Sequence, residues 1–200
     1  MKSVLVTQRV QVLADRGERR DALDQRLAAF LWAAGFLPVP VPNTVVLANA
    51  LYHRVKPHAV CLSGGNDLAE LGGDAPERDA TEGALVDLAE RHGLPVFGVC
   101  RGFQFLAHRR GGRLSRLEGH VGTRHELQGS AGARHVNSFH NWSVTSLGEG
   151  WQVRASTPDG SIEFAACPAL RQLGIMWHPE REPEFQIADL EIIRHFISTA

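Results

Sequence analysis

A cysteine stands between two glycines in the stretch Gly98-Val-Cys-Arg-Gly102, and its thiol is the first candidate for chemistry. Apolar residues lead into this stretch from Pro95 and continue after it from Phe103, which is typical of a strand followed by a helix. A nucleophile between two glycines at such a junction indicates a sharp turn that exposes the central side chain. We therefore predict that Cys100 is a nucleophile, and the helix start and the neighbouring Arg101 would favour its thiolate.

The same pentapeptide also fits a second interpretation, in which Cys100 is a buried structural residue. Free cysteine is among the most buried residue types, and these residues alone support both interpretations equally. A catalytic thiol, unlike a structural one, needs a base within hydrogen-bonding distance and a group that orients that base. The rest of the chain must therefore decide between the two.

The stretch Trp177-His-Pro-Glu180 supplies a candidate base and a candidate orienting group. In an extended segment, side chains two residues apart point to the same side, so Glu180 can hydrogen-bond the imidazole of His178 and fix its tautomer. Each residue alone also fits a simpler role, because a single histidine is often a surface or core residue and a single glutamate is often solvated. Together with Cys100 they predict a Cys–His–Glu triad.

A glycine pair follows an earlier apolar run, in the stretch Ser63-Gly-Gly65. Backbone N–H groups near Gly65 and the N–H of Arg101 can donate to an oxyanion that develops on a substrate carbonyl. The glycine pair alone would equally fit a tight turn. All of these groups follow strand-like runs, and open α/β sheets build their sites at the carboxyl ends of strands.

The elements that must position these groups alternate along the first half of the chain. Apolar periodicity predicts strands and helices in turn, and Gly35 and Gly93 each end a helix. Asp79 and Glu82 have the spacing of a capping box at a helix start, after a surface loop over 68–78. The predicted strands cover 3–7, 36–41 at an edge, 59–62 and 95–99, and the predicted helices cover 19–34, 44–54, 79–92 and 103–107. This alternation indicates a mainly parallel sheet covered by helices.

The second half of the chain differs from the first in composition and in the length of its apolar runs. Residues 109–138 are rich in Gly, Arg and His, and short strand-like runs follow them. These runs predict an extension of the sheet or a small antiparallel flap. Strands are predicted at 136–144, 151–156, 162–166 and 170–176, and a closing amphipathic helix at 184–198.

Length and composition limit the class of protein. The chain has 200 residues, 44% hydrophobic content, a formal net charge of -1 and three cysteines without a paired or metal-binding spacing. This predicts one globular domain over 1–200 and argues against a general nucleic-acid or membrane-surface binder. The sequence predicts no membrane span, and its cysteine usage favours a reducing cytoplasm.

Three motifs resemble the class I glutamine amidotransferase family: Gly98-Val-Cys-Arg-Gly-Phe-Gln104, Ser63-Gly-Gly65 and Trp177-His-Pro-Glu180. Within that family the chain is most similar to the γ-glutamyl hydrolase branch, typified by γ-glutamyl-γ-aminobutyrate hydrolase. Further points of resemblance to this branch are Arg101 after the nucleophile, Arg78-Asp79 before the elbow strand and Val136-Asn-Ser-Phe-His140. The resemblance covers most of 59–180 and implies an α/β fold with a mostly parallel central sheet, helices on both faces and a small antiparallel extension.

The resemblance also implies a mechanism and residue roles. Cys100 attacks the γ-carbonyl of a glutamine-like amide, His178 moves the proton, and Glu180 orients the imidazole. Gly65 and Arg101 provide the oxyanion hole, and water then hydrolyses a γ-glutamyl thioester, with no cofactor and no metal. The residues implied to hold the substrate are Gly64, Gln104, Asn137, Ser138 and His140.

The resemblance defines the substrate and partners less closely. The start Val6-Thr-Gln-Arg9 resembles bacterial hydrolases of γ-glutamyl nucleotide-phosphoramidates, which act in capsule polysaccharide modification. Seven arginines between Arg101 and Arg134 could contact a phosphate-bearing leaving group, although such a cluster is more often a solvated face. The expected partner is a small-molecule γ-glutamyl substrate, without nucleic acid or membrane.

Further interpretations stay open. A glutaminase subunit that passes ammonia to a separate synthetase would share the first half of the chemistry, and a homodimer is equally compatible with the sequence. A non-catalytic binding protein could keep the fold, but it would be free to lose a member of the triad. We do not expect a metal site in the histidine-rich region, because no Cys or carboxylate spacing there matches a zinc site. Its histidines are His120, His125, His135 and His140.

Overall fold

A computed structural model describes residues 1–129 and 134–199 of the chain. The strands are β1 (Lys2–Thr7), β2 (Arg9–Leu13), β3 (Glu18–Ala22), β4 (Phe36–Val41), β5 (Ala59–Leu62), β6 (Val96–Val99), β7 (Arg113–Arg116), β8 (Val121–Gly129), β9 (Arg134–Phe139), β10 (Trp142–Ser146), β11 (Gln152–Ser156), β12 (Ile162–Cys167) and β13 (Gln172–Ile175). The helices are α1 (Gln25–Ala33), α2 (Val45–Val55), α3 (Pro76–His92), α4 (Arg101–Arg109) and α5 (Ile187–Ser198). No helix among these residues is long and apolar enough to cross a membrane.

Parallel strands form the centre of the main sheet, in the order β4-β1-β5-β6-β13. The proline-rich β4 lies at the edge, where a missing N–H does not interrupt the inner ladder. β12 pairs with β13 in the antiparallel sense and begins an extension through β11, β8 and β9, while β10 and β7 branch from β12. The predicted mostly parallel sheet with an antiparallel extension is confirmed.

Helices cover both faces of the parallel strands, because side chains along β1 alternate between the faces. Val4 and Val6 pack in one core with α1 and α5, whereas Leu5 packs in another with α2 and α3. Burial of these apolar side chains supplies the main favourable free energy of folding. β5, β6 and β13 are buried along their whole lengths, so their carboxyl ends are held firmly next to one another.

The predicted helix over 19–34 is wrong in its first part, because 18–22 forms a strand. β2 and β3 make an antiparallel hairpin in which Val10 is the register partner of Asp21. The helix α1 begins only after this hairpin, with Asp24 as its N-cap, whose side chain accepts from the N–H of Arg26. Pairing with a neighbouring strand thus overrides the helical spacing of this segment.

The predicted capping box at Asp79 and Glu82 is also wrong, because α3 begins at Pro76, inside the predicted loop. Both residues lie within the helix, and both carboxylates bind the guanidinium of Arg101 in α4. The spacing that suggested a helix cap therefore serves a contact between two helices.

A buried charged cluster is built around Glu82 and joins β1, α3 and α4. The carboxylate is inaccessible to solvent and accepts from Thr7 Oγ1 at 2.8 Å and from Arg78 Nε at 2.9 Å. Its other oxygen binds Arg101. Burial opposes ionisation, but Arg101 and Arg78 outweigh it and hold the pKa of the Glu82 carboxyl below its usual value.

Candidate active site

Cys100 lies at the junction of β6 and α4, in a turn with a strained backbone. Its φ of 51° and ψ of -106° lie outside the regions that non-glycine residues prefer. Gly102 permits this turn, because a Cβ atom there would lie 2.1 Å from the carbonyl oxygen of Leu62. The N–H of Cys100 donates to the carbonyl of Ile175 at 2.7 Å. The structure thus has the sharp strand-to-helix turn that the sequence predicts.

The thiol of Cys100 and the imidazole of His178 interact, and each side chain shifts the ionisation of the other. Burial opposes the thiolate, but the charge and hydrogen bond of His178 outweigh it and lower the pKa of Cys100 from its ordinary value of 9.0. Burial also opposes the imidazolium, yet the Cys100 thiolate and Glu180 raise the pKa of His178 to about 9. The pair therefore favours a thiolate beside an imidazolium.

Glu180 and Asn137 fix the orientation of His178. Nδ1 of His178 lies 2.6 Å from Oε1 of Glu180, which leaves Nε2 as the nitrogen that can serve the thiol. The Asn137 side chain accepts from the N–H of His178 at 2.9 Å and donates to the His178 carbonyl at 2.8 Å. Both the ring and the backbone of His178 are held, as a base that must keep one orientation requires.

The glycine turn after β5 faces the same site. Gly64 lies against the imidazole of His178, and a Cβ atom at this position would come within 2.7 Å of the ring atom Cε1. The guanidinium of Arg78 donates to the carbonyl oxygens of residues 63–65. Because Arg78 holds these carbonyls, the conformation of Gly65 beside the thiol is fixed before a substrate binds.

A cleft of about 310 Å³ opens above the thiol. This volume is at the lower end of the range of roughly 300–1,000 Å³ for small-molecule sites. Gln104 closes part of the wall, since its amide donates to the carbonyl of Trp142 at 2.7 Å. The lining residues are Gly65, Asn66, Asp67, Cys100, Arg101, Gln104, Phe139, His140, Asn141 and Trp142.

The residues predicted to hold the substrate separate into two groups. Gln104 and His140 line the cleft. Asn137 instead holds the backbone of His178, and its amide also donates to Glu182 at 2.8 Å. Ser138 is fully buried and its hydroxyl donates to a backbone carbonyl at 2.6 Å. The substrate-binding roles of Asn137 and Ser138 stay predictions, and in this structure both side chains are engaged within the protein.

The backbone of Arg101 faces the site, whereas its guanidinium does not. Its guanidinium is turned away toward Glu82 and Asp79. The largest charge effect that lowers the pKa of Cys100 comes from His178. The expectation that the Arg101 side chain favours the thiolate is therefore corrected, whereas the predicted role of its N–H stays a prediction.

Sequence reasoning did not assign Arg78, Phe139 or Trp142 to the site. The pair Arg78-Asp79 was a signal, since it formed part of the family resemblance, but its contacts with the glycine turn could not be derived from spacing. Phe139 lies edge-on to the ring of His178, with 5.9 Å between ring centroids. Phe139 lies inside the stretch Val136-Asn-Ser-Phe-His140 but was given no role there, and no motif contains Trp142, because aromatic residues are interpreted first as parts of the core.

The arginine-rich segment is mostly ion-paired within the protein. The pairs, besides those of Arg101, are Arg109 with Asp87, Arg110 with Glu90, Arg124 with Glu182 and Arg134 with Asp189. Arg116 differs, because its guanidinium lies 5.9 Å from the ring centroid of Trp142, in the wall of the cleft. Most of the segment is thus used in structural contacts, and Arg116 lies against Trp142, a residue of the cleft wall.

A second group of polar side chains adjoins the cleft. His120, His125, His140 and Glu163 place their ligand atoms within 4.8 Å of one another. His140 belongs to both groups, since it also lines the cleft. Among the described residues, this is the set that could hold a metal ion.

The chain is similar to several known proteins. The Peptidase C26 family profile matches residues 5–131 and 118–180. The γ-glutamyl-CDP-amidate hydrolase of Campylobacter jejuni is 32% identical over 165 residues, which cover 82% of this chain and 80% of that protein. The GMP synthase of Thermus thermophilus is 34% identical over 70% of this chain, but the match spans only 27% of the synthase.

The fold is also found among solved structures. A protein from Thermoplasma acidophilum, described as one subunit of a GMP synthase, superposes with a TM-score of 0.73 over 98% of this chain and 92% of its own. Its sequence is 18% identical, so this likeness concerns the fold alone. The profile match and the relatives in sequence together show that the chain belongs to the Peptidase C26 family of class I glutamine amidotransferase-like proteins and is an enzyme that hydrolyses carbon–nitrogen amide bonds.

Proposed function

We propose that the chain hydrolyses the γ-glutamyl amide bond of a small γ-glutamyl conjugate through a thioester on Cys100. The observation that carries this proposal is the series of interacting side chains from Cys100 through His178 to Glu180, next to the cleft, in which His178 and Glu180 are hydrogen-bonded. A thiolate beside an imidazolium is a suitable nucleophile for an amide carbonyl. The C. jejuni relative, named as a γ-glutamyl-CDP-amidate hydrolase, supports the γ-glutamyl class of substrate.

The first chemical step forms the thioester. The thiolate of Cys100 attacks the γ-carbonyl carbon, and the carbonyl oxygen becomes an oxyanion. We assign the stabilisation of this oxygen to the backbone N–H groups of Arg101, at the start of α4, and of Gly65. The imidazolium of His178 gives its proton to the leaving nitrogen, and the carbon–nitrogen bond breaks.

The second step releases glutamate. A water molecule gives a proton to the neutral imidazole of His178 and adds its oxygen to the thioester carbonyl. The carbon–sulfur bond then breaks, and the thiolate of Cys100 returns beside the imidazolium. Because His178 acts first as an acid and then as a base, it must keep one orientation through both steps, which Glu180 and Asn137 provide.

We further propose a phosphate-bearing leaving group. Arg116 lies over Trp142 beside the cleft, and within the described residues it forms no ion pair with an acidic side chain. A guanidinium matches the oxygens of a phosphate group in charge and geometry. A γ-glutamyl nucleotide-phosphoramidate fits both Arg116 and the name of the C. jejuni relative, and it would link the chain to the capsule modification that the sequence resemblance implies.

A glutaminase subunit that supplies ammonia to a separate synthetase is the second candidate. The match to part of the T. thermophilus GMP synthase favours it, because the rest of that enzyme lies outside the match. Both candidates need the Cys100 thiol in its reduced form, so we keep a reducing cytoplasm as the expected compartment. They differ in whether the chain is active without a partner.

Replacing Cys100 by alanine should lower glutamate release by more than about 10³-fold, because no nucleophile remains for the thioester step. The purified chain should release glutamate from a γ-glutamyl nucleotide-phosphoramidate faster than from glutamine or a γ-glutamyl alkylamine. Cys167→Ala removes another buried cysteine and should retain turnover. Full activity of Cys100→Ala would refute the proposal, and weak turnover of every substrate by the wild type would favour the glutaminase subunit.

The pH dependence of kcat/KM should be bell-shaped, with an upper limb near pH 9. Thiolate is lost as the pH falls through the lowered pKa of Cys100, and imidazolium is lost as the pH rises through the pKa of His178 at about 9. Glu180→Gln removes a charge that raises the His178 pKa. It should move the upper limb to lower pH and reduce kcat about 10²-fold or more, though less than Cys100→Ala does.

The matched control for this profile is Glu184→Gln, which neutralises an exposed carboxylate on the same segment. Its pH profile should coincide with that of the wild type. An unchanged upper limb in Glu180→Gln would contradict the assigned role of Glu180.

Replacing Arg116 by alanine should raise KM for the nucleotide-phosphoramidate by roughly 10- to 100-fold, the range for losing a charged hydrogen bond. KM for a γ-glutamyl alkylamine should not change, because that substrate carries no phosphate. Arg113→Ala removes an exposed arginine from the same strand and serves as the control. Equal effects of Arg116→Ala on both substrates would show that Arg116 does not recognise phosphate.

A further inference from the structure

Four side chains beside the cleft converge on one point, and we refer to them as the histidine–glutamate cluster. His120 precedes β8, His125 lies on β8, His140 follows β9, and Glu163 lies on β12. Their ligand atoms lie within 4.8 Å of one another. The rings of His120 and His125 are 4.1 Å apart between centroids. Residues that are distant in sequence are thus brought together by the antiparallel extension.

Each member of the cluster has a buried polar atom without a hydrogen-bond partner in the part of the chain that the structure describes. His120, His140 and Glu163 are only 4%, 3% and 0% exposed. Buried polar atoms are normally paired, because burial without a partner is unfavourable. The atoms that lack a hydrogen bond are Nδ1 of His120, Nε2 of His125, Nε2 of His140 and both carboxylate oxygens of Glu163, although Nε2 of His140 and Oε1 of Glu163 lie at ion-pair distance from each other.

His120 has the outer support that is typical of a metal ligand. Its Nε2 lies 2.8 Å from Oδ2 of Asp159, and a proton on Nε2 leaves the lone pair on Nδ1. Asp159 is itself held by the hydroxyl of Thr157 at 2.6 Å and the N–H of Ser161 at 3.0 Å. Carboxylates that orient histidines in this way are usual around protein-bound zinc.

We propose that the histidine–glutamate cluster binds one Zn²⁺ ion in a closed, four-ligand structural site. Imidazole nitrogens and a carboxylate oxygen are ligands that zinc accepts in tetrahedral geometry. Zinc–ligand bonds of about 2.0–2.2 Å bring all four ligand atoms nearer to one another than the 4.8 Å limit within which they lie here, so binding requires rotation of side chains. Because all four positions are filled by protein, the ion has no open position for substrate.

Protonation of His140 would satisfy fewer of the side chains in the cluster than a metal ion does. Nε2 of His140 lies 3.3 Å from Oε1 of Glu163, so a protonated His140 could neutralise the carboxylate. This would leave His120 and His125 with unpaired nitrogens directed at the same point. A divalent cation satisfies all four side chains at once.

The bound ion cross-links the strands that form one wall of the active-site cleft. It links β8 and the end of β9 to β12 of the main sheet. Phe139, next to the ligand His140, lines the cleft and lies edge-on to His178. The metal therefore stabilises the wall that faces the triad, and it takes no part in the bond-breaking steps.

Zinc binding by the full chain is the direct test. After metal removal with a chelator, the chain should take up one Zn²⁺, as measured by elemental analysis and by titration against a chromophoric chelator. Co²⁺ should give the visible absorption spectrum of a tetrahedral site. The midpoint of thermal unfolding should rise with zinc concentration, because the ion binds the folded state.

Variants separate the cluster from other histidines. His125→Gln should abolish the stoichiometric binding and the rise in unfolding midpoint. Asp159→Asn should weaken zinc affinity by about 10- to 100-fold, since it removes only the outer support of His120. His135→Gln alters an exposed histidine on the same hairpin and should bind zinc like the wild type.

Circular dichroism of each variant distinguishes lost binding from lost folding, and the partly exposed Asp159 offers a second variant if His125→Gln fails to fold. The proposal is overturned if the folded wild type takes up no zinc, or if the cluster variants bind as tightly as His135→Gln. Since the readout is metal content and not turnover, the result is independent of the proposed hydrolase activity.

Discussion

The buried carboxylate of Glu82 is the contact on which the arrangement of the active site depends. One oxygen accepts from Thr7 and Arg78, and the other accepts from Arg101. Arg78 holds the carbonyls of the glycine turn, and the N–H of Arg101 directly follows Cys100 in the chain. Burial lowers the pKa of Arg78 to about 10, so its guanidinium stays charged at neutral pH. One charged cluster beneath the sheet edge therefore fixes both segments that we assign to the oxyanion.

The hairpin of β8 and β9 supplies the opposite side of the site. It carries Asn137, which holds the backbone of His178, and Phe139, which packs against the imidazole. The histidine–glutamate cluster connects the same hairpin to the main sheet. The strained turn at Cys100 is thus enclosed between two rigid supports, one built from a buried ion network and one from a hairpin tied to β12. This enclosure allows the thiol and imidazole to be partners before a substrate arrives.

The sequence was informative where one residue type satisfies a local requirement. The glycines around Cys100 and the spacing of His178 and Glu180 predicted the turn and the hydrogen-bonded pair, since both depend on short stretches of backbone. The pairing of 18–22 with β2 and the contact of Glu82 with Arg101 could not be predicted, because partners elsewhere in the sequence determine them. The histidine–glutamate cluster could not be predicted for the same reason, because its carboxylate, Glu163, comes from β12 and not from the histidine-rich segment.

The central claim is that Cys100 is the nucleophile toward a γ-glutamyl carbonyl, and active-site labelling tests it most directly. The full chain would be treated with an electrophilic diazoketone analogue of glutamine, digested, and mapped by mass spectrometry, with and without competing substrate. The account predicts a single adduct on Cys100, which substrate prevents and which His178→Ala slows. Labelling that is equally fast at Cys61 or Cys167, or labelling of Cys100 that substrate does not affect, would contradict it.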